Sequence, residues 1–272
     1  MKSVRIKAVV AAGAAAIAVG VVATPHGAAA ATTKPQPHSA AHAKSTAGLH
    51  PHVSLPGRGV ASNTNGITDY GAGYFFYPGA TTEGFSSAGV TFTMPSFSCA
   101  SASDNEWLLP GIWVYDNTGA LTQQVDVNFN CNSGVKLQSG IICLSNTGCD
   151  SSLTPNPGDV IEASLVETAT GTVARLRDFT QNTTATVTGA ALSPPDYTVF
   201  IGNAGPHQFG FADAVPTFNH QSFRFASVNG EAIGDGDYFP AGYNLRTSGI
   251  NQINAGPILL HHTMFTNTFK HN

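Results

Sequence analysis

The sequence predicts an all-β protein, and three observations point to that class. Apolar and polar residues alternate over short segments such as Gly89-Val-Thr-Phe-Thr-Met-Pro95 and Val125 to Phe129, with the period of two that is typical of a β-strand. Turn signals recur at short intervals, for example Asp116-Asn-Thr-Gly119 and Asn229-Gly230. No uninterrupted helical pattern follows residue 31. Many short antiparallel strands over about 210 residues predict one β-sandwich or jelly roll.

The first 31 residues have the pattern of a secretory signal peptide. Lys2, Arg5 and Lys7 form a basic start, an uncharged apolar run covers 8–23, and small residues follow at 27–31, where a signal peptidase cuts. The apolar run is shorter than the roughly 20 residues that span a bilayer. We therefore expect a secreted, extracellular protein that is free of the membrane once the signal is cleaved.

Residues 32–60 differ in composition from everything that follows. They contain four prolines and almost no large apolar residue, a composition that predicts a disordered linker or a short propeptide. The remaining residues, 61–272, are expected to form a single β-sandwich domain. We find no sign of a repeat or a second domain, and we expect a monomer.

Charge is scarce and unevenly distributed along the chain. Only 10% of the residues are charged, against roughly 25% in an average soluble protein, while 42% are hydrophobic and suffice for a core. The formal net charge of −4 conceals an acidic body, because the residues from Val60 onward contain 6 basic and 16 acidic side chains. This balance excludes a nucleic-acid binder, which needs a basic surface, and is compatible with tolerance of acid.

Four cysteines lie between positions 99 and 149: Cys99, Cys131, Cys143 and Cys149. An even number in an exported chain predicts two disulfides, for which three pairings are possible. We favour Cys99 with Cys131 and Cys143 with Cys149, because the second pair closes a short loop and the first would join neighbouring strands. The spacing is too wide for a metal-binding Cys-x-x-Cys motif. We predict no metal and no cofactor.

One strand carries a wholly polar face. Gln124, Asp126, Asn128 and Asn130 alternate with apolar residues between Thr122 and Asn130, so they point to one side of a sheet. Such a face is either exposed to solvent or lines a groove. Composition alone favours exposure.

The order of motifs from about Asn63 to the C-terminus resembles that of the glutamic peptidases, or eqolisins. The matching pieces, in chain order, are Gly89 to Pro95, Ile112-Trp-Val114 (with Trp107 as a rival for the tryptophan), Leu121-Thr-Gln-Gln-Val-Asp126, Pro157-Gly-Asp159, Ala174-Arg-Leu-Arg-Asp-Phe-Thr180, Phe211-Ala-Asp213 and Val228-Asn-Gly230. The resemblance implies a concanavalin-A-like jelly-roll sandwich of two antiparallel sheets, with a substrate groove on the concave face.

The resemblance also implies a mechanism in which a Glu activates water and a Gln stabilises the oxyanion. Gln124 is the better match to the Gln because it shares a face with Asp126; Gln123 is the literal alternative. The Glu would close the strand Pro195-Asp-Tyr-Thr-Val-Phe200, but Phe200 occupies its position. Since Phe cannot take a proton, Asp126 and Asp196 become the candidate acids.

Two functions follow from this departure. The chain is either an acid-acting endopeptidase that cleaves polypeptides with Gln124 and a carboxylate, or a non-catalytic surface module that binds an extracellular glycan or peptide in the same groove. Aromatic and amide side chains would contact the bound molecule in either case. These candidate binding residues are Trp107, Trp113, Asn128, Tyr197 and Phe200.

Overall fold

The computed structural model describes residues 66–68, 70–78, 84–99, 105–132, 134–145, 147–192, 197–205, 214–235, 238–247, 249–259 and 261–270. The expected signal peptide 1–31, the expected linker 32–60 and Asp196 lie outside the described residues. Over the described ranges, the chain has no helix that is long and apolar enough to cross a membrane.

Every regular element among the described residues is a β-strand, as the sequence predicts. The strands are β1 Gly66–Thr68, β2 Gly71–Pro78, β3 Ser87–Thr93, β4 Phe97–Ser98, β5 Asn105–Tyr115, β6 Leu121–Asn132, β7 Val135–Leu144, β8 Gly148–Asp150, β9 Val160–Thr168, β10 Gly171–Asp178, β11 Thr183–Gly189, β12 Thr198–Ala204, β13 Thr217–Phe218, β14 His220–Val228, β15 Glu231–Ala232, β16 Tyr238–Thr247, β17 Ile250–Ala255 and β18 Phe265–Phe269.

The strands form a sandwich whose two layers belong to one hydrogen-bonded path. Its order is β11-β10-β9-β3-β14-β18-β17-β16-β2-β12-β5-β6-β7-β8, and each neighbouring pair in this path is antiparallel. Contacts between strands that are far apart in this order, such as β10 with β7 and β9 with β6, place one half of the sheet over the other. The predicted architecture of packed antiparallel sheets is therefore confirmed.

The main core fills the space between the two layers. Alternation along each strand supplies it: Ile112 and Val114 of β5 and Val125 and Val127 of β6 are fully buried there. The intervening residues of β5 and β6 point to the opposite side of the sheet, because successive side chains of a strand alternate. That opposite side of β16, β2, β12, β5, β6 and β7 is called the site face below.

Three buried amides join the layers inside the core. Asn203 of β12 donates from Nδ2 to Oε1 of Gln221 on β14 at 2.6 Å, and Asn267 of β18 donates to Oδ1 of Asn203 at 2.5 Å. Asn267 Nδ2 also donates to the carbonyl of Ala72 at 2.7 Å. Because such groups cost free energy when buried without partners, this network specifies how β12 sits against β14 and β18.

The Pro157-Gly-Asp159 turn brings two carboxyl groups together ahead of β9. Oδ2 of Asp159 accepts from Asn156 N and from Gln181 Nε2, both at 2.6 Å. Oδ1 of Asp178 accepts from Thr180 N at 2.8 Å and Gln181 N at 2.9 Å. Burial and the neighbouring Asp159 raise the pKa of Asp178, whereas hydrogen bonds outweigh burial and hold the pKa of Asp159 below its ordinary value.

Both predicted disulfides are confirmed. Cys99 pairs with Cys131, and Cys143 pairs with Cys149. The first ties the segment after β4 to β6, and the second closes the turn between β7 and β8.

Candidate active site

A buried glutamine–aspartate pair lies on β6. Nε2 of Gln124 donates a hydrogen bond of 2.6 Å to Oδ2 of Asp126, and the two side chains share a face because they are two residues apart on a strand. Gln124 is 1% exposed and Asp126 is 0% exposed. The expectation from composition that this polar face is solvent-exposed is therefore wrong, since all four of its side chains are buried.

Burial changes the acidity of Asp126. Loss of water around the carboxylate raises its pKa well above the ordinary value, and the hydrogen bond from Gln124 only partly opposes this. A buried carboxyl group with a raised pKa keeps its proton to a higher pH than an exposed aspartate does. Such a group is suited to move a proton in either direction.

Aromatic side chains continue the row that Gln124 begins. Across the sheet, Gln124 pairs with Trp113 of β5, Trp113 pairs with Phe200 of β12, and Phe200 pairs with Phe75 of β2. Ring centroids are 5.5 Å apart for Trp113 and Phe200 and 4.6 Å apart for Phe200 and Phe75. Phe75, Trp113 and Phe200 form one buried cluster with Tyr77 and Tyr115, so this side of the pair is dry.

Two glycines make room for the ring of Phe200. A Cβ atom at Gly71 would lie 2.8 Å from Cζ of Phe200, and one at Gly202 would lie 3.0 Å from the same atom. Atoms at such distances clash, so the ring is seated where only hydrogen atoms project from the sheet. Phe200 is 1% exposed.

The structure brings most of the sequence-predicted residues together. Asn128 follows Gln124 and Asp126 on the site face, and Trp107 pairs with Asn130 at the far end of β5. Gln123, the alternative glutamine, pairs with Val114 and faces the main core side. Tyr197 packs in the main core and so does not join this group.

Several atoms of the site face are buried and make no hydrogen bond within the described part of the chain. Three are acceptors on β6 and one is a donor on β5. They are Gln124 Oε1, Asp126 Oδ1, Asn130 Oδ1 and Trp113 Nε1. A buried polar group without a partner costs about 1–3 kcal/mol, so a hydrogen bond from water or from another molecule to any of these atoms would be favourable.

Some residues on or beside this face were not predicted from the sequence to belong to a binding or catalytic site. Phe75 lies in the run Tyr74-Phe-Phe-Tyr77, and four consecutive aromatic residues could have indicated an aromatic cluster from the sequence. Asn130 belongs to the polar alternation, but nothing in the sequence separates it from a solvent-facing asparagine. Cys143 pairs with Gln124 across β7, so one disulfide borders the site; only the register reveals this.

One group of side chains has the spacing of a metal site among the described residues. The ligand atoms of Cys99, Glu106 and Cys131 lie within 4.8 Å of one another. Both sulfurs are consumed in a disulfide, and thiolates are needed to bind a metal. While this disulfide is intact, the group therefore has no thiolate that could bind a metal.

Comparison with known proteins identifies solved structures that share this fold. No protein-family model matches the sequence, and no curated protein matches it. Among solved structures, scytalido-glutamic peptidase with a peptide-based transition-state analogue superposes with a TM-score of 0.53 at 15% identity, covering 74% of this chain and 100% of that chain. SCP-B, a member of the eqolisin family in complex with the tripeptide Ala-Ile-His, superposes with a TM-score of 0.50 at 14% identity, with coverage of 74% and 100%.

The two eqolisin structures are matched over their whole length. The identities are too low for activity to follow from the match. The described part of this chain thus has the β-sandwich fold of the eqolisin peptidases, to which it is a remote structural relative.

Proposed function

We propose that this protein is an exported endopeptidase in which the carboxylate of Asp126 activates water and the amide of Gln124, which is hydrogen-bonded to that carboxylate, stabilises the oxyanion. The observation that carries the proposal is the 2.6 Å hydrogen bond between these two buried side chains. In this assignment Asp126 takes the role that the resemblance gives to position 200, where Phe200 has no proton acceptor. The two disulfides are compatible with an extracellular site of action.

The chemistry needs a base, an acid and a donor to the oxyanion. Asp126 Oδ2 is held by Gln124, which leaves Oδ1 to accept a hydrogen bond from water. The carboxylate removes a proton from this water as the water oxygen attacks the peptide carbonyl carbon. The second N–H of the Gln124 amide donates to the resulting oxyanion. Protonated Asp126 then gives its proton to the departing amine nitrogen as the C–N bond breaks.

Burial constrains how substrate arrives. Gln124 and Asp126 are almost without solvent contact, so a substrate reaches them only when the site face opens. An opening step of this kind frequently limits turnover in enzymes that sequester their chemistry. The dry surroundings also strengthen the interaction of the Gln124 dipole with a developing oxyanion.

The test is cleavage of an unfolded protein by the full chain between about pH 3 and pH 7, with products identified by mass. Asp126→Asn removes the base and Gln124→Leu removes the oxyanion donor, and each should lower kcat/KM by about 10²-fold or more. Asp235→Asn is the matched control, because Asp235 is exposed and pairs only with His262 among the contacts of the described residues. Full activity in Asp126→Asn would refute the mechanism.

A further inference from the structure

The disulfide between Cys143 and Cys149 continues the cross-strand row that contains Gln124. Gln124 of β6 pairs with Cys143 of β7, and Cys143 pairs with Cys149 of β8. Directly paired residues of neighbouring strands point to the same side of a sheet, so both sulfurs lie on the side of Gln124. The Cα atoms of the two cysteines are 4.1 Å apart. The S–S bond therefore runs across the strands, from the last strand inward to Gln124.

The outer sulfur of this disulfide is the more accessible one. β8 is the last strand of the hydrogen-bonded path, and Cys149 is exposed together with the Gly148 that precedes it. Cys143 is half-buried between Cys149 and the fully buried Gln124. A molecule that approaches from the edge of the sheet therefore reaches the sulfur of Cys149 before that of Cys143.

The second disulfide of the chain provides a contrast. Cys131 is 0% exposed and packs in the main core, and its partner Cys99 is half-buried. The bond between them joins positions 32 residues apart, whereas Cys143 and Cys149 are 6 residues apart. A short closed loop removes less entropy from the unfolded chain than a long one. The fold therefore depends less on the Cys143–Cys149 bond than on the buried one.

These positions favour thiol–disulfide exchange in one direction. A thiolate that arrives from the edge of the sheet attacks Sγ of Cys149, a new S–S bond forms there, and the bond to Cys143 breaks. Cys143 leaves with the electron pair as a thiolate and then takes a proton from water. No further oxidant is needed, because one disulfide replaces another.

Gln124 lies beside the sulfur that leaves. Its amide has two N–H groups, and one of them donates to Asp126. The other can donate to the thiolate of Cys143, and hydrogen bonds to an ionised acceptor are stronger than those between neutral groups. The amide thus favours departure of Cys143 rather than of Cys149.

We propose that Cys149 is a modification site at which a small thiol forms a mixed disulfide, releasing Cys143 beside Gln124. This proposal goes beyond the peptidase activity and does not depend on it. In this exchange Gln124 is a positioning residue, because it acts on the leaving sulfur and touches neither the thiol nor the sulfur that is attacked.

The experiment treats the full folded chain with 2-mercaptoethanol in the absence of any peptide substrate. Samples are quenched with acid at early times, new thiols are capped with N-ethylmaleimide, and the modified cysteines are located by peptide mass mapping. We expect the mercaptoethanol adduct on Cys149 and the maleimide cap on Cys143. Because access controls exchange, the rate constant should exceed that of the Cys99–Cys131 bond by at least about tenfold.

Variants at buried amides of β6 test the part assigned to Gln124. Gln124→Leu should slow the exchange on the order of tenfold, because it removes a hydrogen bond to a charged leaving group. Gln124→Glu keeps the shape of the side chain without its N–H groups and should slow the exchange at least as much. Asn128→Leu is the matched control, because Asn128 is buried on the same face but pairs with Ser139 rather than with a cysteine. It should change the rate constant by less than about twofold.

Each result decides a stated part of the proposal. An adduct found mainly on Cys143, or a rate constant no greater than that of the buried disulfide, overturns the modification site. Equal slowing by Gln124→Leu and Asn128→Leu overturns the role of the Gln124 amide. Since exchange is measured without a substrate, these outcomes are independent of whether the protein cleaves polypeptides.

Discussion

Phe200 and Gln124 flank Trp113 from opposite sides, in one cross-strand row. Position 200, where the resemblance expects a glutamate, is thus separated from Gln124 by one intervening strand, β5, and the indole of Trp113 lies between them. A carboxylate at position 200 would be buried among the rings of Trp113 and Phe75, away from water.

We therefore predict that Phe200→Glu destabilises the protein in a pH-dependent way. Burial would raise the pKa of the new carboxyl group above its value in the unfolded chain. The folded variant is therefore most stable in acid, and its stability falls as pH rises. The loss of unfolding free energy should exceed about 3 kcal/mol at pH 7 and be smaller at pH 4. Chemical denaturation at both values measures it. Phe200→Leu should show a pH-independent loss; equal losses for Phe200→Glu at pH 4 and pH 7 would contradict the prediction.

Asp126 should set the lower limb of the pH–rate profile. Its pKa is raised by burial, so the basic form, which removes a proton from water, appears only above the ordinary aspartate value of 3.8. We expect kcat/KM to rise with pH through a midpoint well above that value. The same shift makes the contribution of Asp126 to stability decline as pH rises. Asp126→Asn should flatten this part of the stability curve; a rate that is already maximal at pH 3 would show that another group is the base.

The carboxyl pair at the Pro157 turn should respond to removal of one charge. Asp178→Asn keeps an oxygen for the N–H groups of Thr180 and Gln181 and gains an N–H that faces Asp159. Because the pKa of Asp178 is raised, its ionised form destabilises the native state as pH rises. The variant should therefore raise Tm by about 3 °C at pH 7 and leave it unchanged at pH 3. A calorimetric Tm that falls at pH 7 would contradict this account.

Removing the amide of Asn267 should loosen the contact between the layers. Asn267→Ala deprives Asn203 Oδ1 and the Ala72 carbonyl of a donor inside the core, and each buried acceptor without a partner is unfavourable. We expect a loss of about 2–4 kcal/mol in unfolding free energy. Asn251→Ala, at an exposed site, should change it by less than about 0.5 kcal/mol. Equal losses in the two variants would mean that the network contributes no stability.

The sequence predicted the sandwich because alternation along β3, β5 and β6 is a direct consequence of packing one strand face against a core. It also placed Gln124 and Asp126 on one face, since parity along a strand needs no tertiary information. It failed on the exposure of that face. Whether an alternating polar face is wet depends on Phe200 and Phe75, which come from strands distant in sequence, as well as on Trp113 of the preceding strand. The relation of Cys143 to Gln124 was hidden because it depends on the register between β6 and β7.

The seat of Phe200 is enclosed by backbone as well as by rings. A side chain at Gly202 would lie 2.3 Å from the carbonyl oxygen of Ala72, and one at Gly71 would lie 2.7 Å from the carbonyl oxygen of Asn203, each closer than the Phe200 ring. Both glycines are therefore required whatever residue stands at position 200. A smaller side chain at position 200 would leave a cavity that a larger residue at either glycine could not fill.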